Sequence, residues 1–77
     1  MSVINTEHYT ILVSRPVEQY KGSKEKYIEL STSSDEFEYL PTENVADGSL
    51  AFFSDNWTVS AYSKKNEAWG EPQPIFG

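Results

Sequence analysis

The run Leu50-Ala51-Phe52-Phe53-Ser54-Asp55-Asn56-Trp57-Thr58-Val59-Ser60-Ala61-Tyr62 decides the fold class of this chain. Two stretches rich in aromatic and β-branched side chains flank Ser54-Asp55-Asn56. Asp and Asn tolerate the positive φ that tight connections demand. The run predicts a β-hairpin. Phe52 and Phe53 are adjacent in one strand and so face opposite sides of the sheet. One of them lies on a second face, either the wall of a closed barrel or an interface.

Upstream, His8 to Ser14 has strand composition, and Arg15-Pro16 stops it because Pro16 has no N–H for a ladder. Lys26 to Thr32 predicts a second strand, with Ile28 and Leu30 on one face and Tyr27, Glu29 and Ser31 on the other. The polar stretch from Glu18 to Lys26 reads as a loop turning at Gly22-Ser23, with a small basic segment at 20–26 that has Glu25 inside it. Thr42 to Ser49, which holds Asp47-Gly48, reads as a loop or one helical turn. Downstream, Ser63 to Asn66 predicts a turn and Glu67 to Gly70 a short strand, while Pro72 and Pro74 keep residues 71–77 extended.

Residues 34–40 admit two readings. The alternation of Glu36-Phe37-Glu38-Tyr39-Leu40 favours a strand, and a short helix capped by Ser33 or Asp35 is the alternative. The expectation is a single mainly β domain over 1–77. It has about five short strands in a small antiparallel sheet, barrel- or roll-like, or an α+β arrangement with one short helix near 34–40.

The chain has 77 residues, too few for two cores. Only 38% is hydrophobic but 14% is aromatic, so a few large side chains must carry the core, with Phe37, Phe52 and Trp57 expected there. Cysteine is absent, which excludes disulfides and thiolate metal sites, and His8 is the single histidine. Small scaffolds without those devices are often stabilised by oligomerisation, so a homodimer is one expectation. No stretch approaches the ~20 apolar residues of a membrane span. The first seven residues have no secretory pattern, and a cytoplasmic location is expected.

The net charge is −6, and its position along the chain is informative. Residues 1–33 hold four acids and four bases, and residues 57–77 hold two of each. The whole imbalance falls in 34–56, where Asp35, Glu36, Glu38, Glu43, Asp47 and Asp55 meet no base. The structural reading is a solvated face. The functional reading is a surface whose self-repulsion a basic partner relieves. On a strand, Glu36 and Glu38 would point the same way about 6.7 Å apart. That row is comparable with the phosphates of duplex DNA, one per ~3.4 Å of each strand.

Tyr39 or Phe53 would supply the apolar anchor within such an acidic patch. In size and charge alone, the chain resembles the DNA-mimicking inhibitors that phages make. That likeness implies a non-enzymatic inhibitor or modulator occluding the basic surface of a nucleic-acid-binding protein. The other class of function is a structural or accessory subunit docking through exposed aromatic side chains, and a weaker one is a carbohydrate binder using Trp57 and Trp69.

Catalytic patterns are missing from the sequence. No nucleophile-elbow glycines accompany His8, and no phosphate-cradling glycine loop occurs. Asp35, Glu36 and Glu38 lack the spacing of a calcium loop. No cofactor or metal is expected. Direct nucleic-acid binding is disfavoured because the aromatic-rich half is acidic or neutral.

Overall fold

The computed structural model describes residues 4–17 and 24–76. Its strands are β1 (Ile4–Asn5), β2 (Thr10–Pro16), β3 (Lys26–Thr32), β4 (Leu50–Phe53), β5 (Thr58–Ser63), β6 (Ala68–Trp69) and β7 (Gln73–Pro74). They form one sheet in the order β1-β2-β3-β4-β5-β6, and β7 also pairs with β5. The chain is mainly β, as its alternation predicts.

The strand β3 forms because every second side chain finds the same interior: Ile28, Leu30 and Thr32 are buried and the residues between them are not. On one side it pairs antiparallel with β2, and on the other it pairs parallel with β4. The β4–β5 hairpin is antiparallel, with Phe53 opposite Thr58. The outer edge of β5 is covered twice, by β7 against Thr58–Val59 and by β6 against Tyr62–Ser63.

Parallel pairing requires a crossover, and residues 33–49 supply it. The crossover lays Phe37, Leu40 and Val45 against Ile28, Leu30, Ala51 and Phe53 on one face of the sheet, and Tyr62 and Trp69 complete the core. Phe53 and Leu30 are fully buried, worth about 1.5–3 kcal/mol each. The polar tips of the two large aromatics pin the crossover backbone: Trp69 Nε1 donates to the Pro41 carbonyl at 2.8 Å and the Tyr62 hydroxyl to that of Thr42 at 3.2 Å. Below the parallel ladder, Val45 bridges Lys26 in parallel. Ser49 hydroxyl takes the Ile28 N–H at 3.1 Å where β4 has not yet begun. Gly48, at φ 88°, lets the crossover turn sharply into β4.

Several expectations are corrected. The sheet is open, and its β3–β4 pair is parallel, where a barrel- or roll-like, wholly antiparallel sheet was expected. Residues Ser34–Tyr39 form a 3-10 helix, the short-helix alternative for 34–40, and not the favoured strand. Asp55 captures the Ser34 N–H at 3.0 Å, and Phe37 turns inward to meet the Phe53 ring at 5.9 Å. These contacts, which reach across to the hairpin turn and β4, outweigh the alternation. The hairpin connection is Ser54–Trp57, with Trp57 itself at φ 55° and 58% exposed, so it is not core. Phe52 lies outside the core cluster, on the opposite face of the sheet. Residues 73–74 do form a strand, with Pro74 on an edge where its missing N–H costs nothing. Most of the expected basic loop, residues 18–23, lies outside the described residues.

Candidate functional site

At the end of the sheet where β3 and β4 finish, three connections meet: residues 6–9 between β1 and β2, the 3-10 helix after β3, and the hairpin turn Ser54–Trp57. The first is built by Thr6. Its hydroxyl accepts the N–H groups of His8 and Tyr9 at 3.2 and 3.0 Å and donates to the Tyr9 carbonyl at 2.9 Å. This turn holds out Glu7, whose side chain is 91% exposed, and His8.

His8 joins the first connection to the second. Its Nδ1 lies 2.7 Å from Glu36 Oε2, its Nε2 lies 3.7 Å from Glu7, and its ring stacks on Tyr39 at 4.0 Å and 8°. Thr32 fixes the same residue by donating its hydroxyl to the His8 carbonyl at 2.6 Å. A shallow groove of about 350 Å³ runs beside it, lined by Thr6, His8, Thr10, Ser33, Glu36 and Ser54.

Asp55 ties the third connection to the second by accepting both the Ser34 N–H and, at 2.6 Å, the Ser34 hydroxyl. That hydroxyl bond, with help from backbone N–H groups, holds the Asp55 carboxyl below its ordinary range. Asp35 accepts the Ser33 hydroxyl at 2.5 Å, and Glu38 projects into solvent. Tyr39 is half exposed. Trp57 and Phe76 meet edge-on at 6.1 Å and are both largely exposed, beside the Ile75 N–H that bonds the Trp57 carbonyl.

Of the six acids singled out in the sequence, the fold gathers Asp35, Glu36, Glu38 and Asp55 and sends two elsewhere. Glu43 and Asp47 sit at the far end, beside the start of β3 and the end of β5. Asp47 there accepts the Lys64 N–H at 2.9 Å, and Glu43 borders a depression with Lys24 and Lys26. In a 3-10 helix of three residues per turn, Glu36 and Glu38 do not share a face, so the expected two-residue row is replaced by one carboxylate on His8 and one in solvent. Phe53, fully buried, is no anchor, whereas Tyr39 remains accessible. Trp69 is buried against Tyr62, so the two tryptophans form no common platform.

Glu7 and His8 belong to this end although nothing near them in the sequence links them to residue 36. Only the β2–β3 register brings them there. The described cations all lie at the opposite end: Arg15 near the end of β2, Lys24 and Lys26 at the start of β3, and Lys64 and Lys65 after β5. Lys64 forms an ion pair with Glu25 there, over a cleft of about 300 Å³ that Asn44, Tyr62 and Glu67 also line. The acidic end thus carries Glu7, Asp35, Glu36, Glu38 and Asp55, five negative charges with no Lys or Arg among the described residues. The far end carries five cations with Glu25, Glu43, Asp47 and Glu67, and the two remaining described acids are Glu29 within β3 and Glu71 after β6.

Among the described residues, no three His, Asp or Glu side chains are grouped to hold a metal ion. No described helix is long and apolar enough to cross a membrane. Comparison with family models, curated proteins and solved structures finds no match to this chain.

Proposed function

We propose that this protein is a non-enzymatic inhibitor or modulator that presents its acidic end to the basic surface of a nucleic-acid-binding protein. One observation carries the reading: five carboxylates stand at one end of the sheet while every described Lys and Arg stands at the other. Such a charge dipole orients the molecule as it approaches a cationic surface and raises the rate of encounter. Carboxylates seated on lysines and arginines that otherwise hold phosphates then block the nucleic acid by occlusion. Tyr39, on the rim of the same end, adds apolar contact.

The roles of the acids within that end differ. Asp55 and Glu36 organise the connections, through Ser34 and His8. Glu7 and Glu38 are the exposed charges offered outward. Capture of binding proteins from a nucleic-acid-depleted lysate at low and high salt tests the proposal, using the wild type and the Glu7→Gln/Asp35→Asn/Glu38→Gln variant. Retention of DNA- or RNA-binding proteins that falls steeply with salt and is lost in the variant supports it. Salt-insensitive capture that the variant retains refutes it. That second outcome favours an accessory subunit docking through Trp57 and Phe76, whose exposure at the same end is the observation behind that reading.

A further inference from the structure

The face of the sheet opposite the crossover contributes nothing to the core cluster, yet most of its strand side chains are apolar, with Arg15, Glu29 and Ser31 among them. In β2 the register jumps from Ile11↔Leu30 to Val13↔Glu29, and Ser14 pairs with Ile28. Ile11 and Ser14 therefore both flank the core face, with two residues between them instead of one. Leu12 and Val13 consequently project together from the other face, which is how a bulge re-aims a side chain. Tyr27 on β3, Leu50 and Phe52 on β4, and Val59 on β5 share that face by register. Leu12 is 42% exposed, and none of these side chains belongs to the core cluster.

The strand charges on this face are one of each sign. The Arg15 guanidinium lies over the Tyr27 ring at 4.9 Å, and the Tyr27 hydroxyl donates to Glu29. We propose that this face is the interface of a homodimer in which two sheets pack face to face. Three features select a second copy as the occupant. A patch holding one cation and one anion is complementary to itself, as a two-fold contact requires, so Arg15 of one copy can meet Glu29 of the other. The surplus negative charge stands at the end of the sheet, away from this face, so association does not force the acidic ends together. The third feature is area. Four paired strands at ~4.8 Å spacing and ~3.3 Å rise give roughly 20 × 20 Å of flat face. Side-chain relief and the flanking strands bring that towards the ~800 Å² per partner of a stable interface. The apolar side chains meet at the ~10 Å separation of stacked sheets.

The experiment is sedimentation equilibrium over a concentration series, at low and high salt. Wild-type protein is expected at twice 8.8 kDa, with little dependence on salt. Leu12→Lys, at a position already exposed in the single chain, should keep the wild-type circular dichroism and weaken the dimer at least ~30-fold. Phe52→Lys should do the same, and if it unfolds, Leu12→Lys decides alone. A wild-type mass of 8.8 kDa up to about 1 mM overturns the proposal. So does a folded Leu12→Lys variant that dimerises as tightly as wild type. Because salt weakens the acidic end's complexes and leaves this contact intact, failure here is distinguishable from failure of the proposed function.

Discussion

Replacing Ser49 by alanine is the sharpest probe of how this sheet is held together. Ser49 is fully buried, and its hydroxyl accepts the Ile28 N–H at 3.1 Å while donating to the Ala46 carbonyl at 2.8 Å. It stands in for a strand residue just below the point where β3 and β4 begin to pair. Ser49→Ala removes that oxygen. The Ala46 carbonyl keeps the Ser49 N–H at 3.2 Å, but the Ile28 N–H is left in the interior without its acceptor. An orphaned buried donor costs about 1–3 kcal/mol and the lost hydroxyl bond about 1 more, so a loss of about 2–4 kcal/mol is expected.

A domain of this length has a total stability of about 4–12 kcal/mol, so the loss is a large fraction of it. At about 4–8 °C per kcal/mol, Tm should fall by about 8–32 °C. Urea unfolding is the assay, with an unchanged m-value showing that the native state keeps its compactness. Ser54→Ala is the control. Its hydroxyl is on an exposed residue, 3.4 Å from the Thr32 carbonyl, and its removal should cost less than ~0.5 kcal/mol. Equal stabilities for the two variants would refute the role given to Ser49.

Phe53→Ala should cost about 3–5 kcal/mol in the same measurement, and Phe52→Ala distinctly less in a monomeric background, because only Phe53 is in the core. Ser34→Ala should raise the Asp55 carboxyl back towards its ordinary 3.8, read by side-chain carbonyl NMR across an acid titration. Since the folded state lowers this group, its stabilising effect is complete above 3.8 and vanishes as pH falls through the lowered value. Glu67→Gly should stabilise by about 0.5–1 kcal/mol, since Glu67 holds φ 51° in an exposed turn where glycine is unstrained.

The strand periodicity was legible because it is a local property. Lys26–Thr32 appears with its full length and the correct faces, and the Leu50–Tyr62 run forms a hairpin. The parallel seam was not legible: hydrophobic alternation is the same for a strand paired in either direction, and the crossover is read only from what it packs against. Residues 34–40 misled for a related reason, since their alternation is real but the Ser34–Asp55 bonds spanning 21 residues override it. The charge count located four of the acids at one end. It missed Glu7 because adjacency across β2 and β3 is not written in composition, and it included Glu43 and Asp47 because a loop of 17 residues can cross from one end of the sheet to the other.

The seam between β3 and β4 also bears on the order of assembly. Glu29 and Leu50, its first pair, are 50 − 29 = 21 positions apart, whereas the β4–β5 hairpin closes over a four-residue turn. Loop-closure entropy grows with length, so the hairpin can gather before the two halves of the sheet dock. On that ordering, kinetic φ-values approach one along β4–β5 and stay low for Ser49 and Leu40, and the reverse pattern would rule it out. The middle of the finished sheet is then its youngest part.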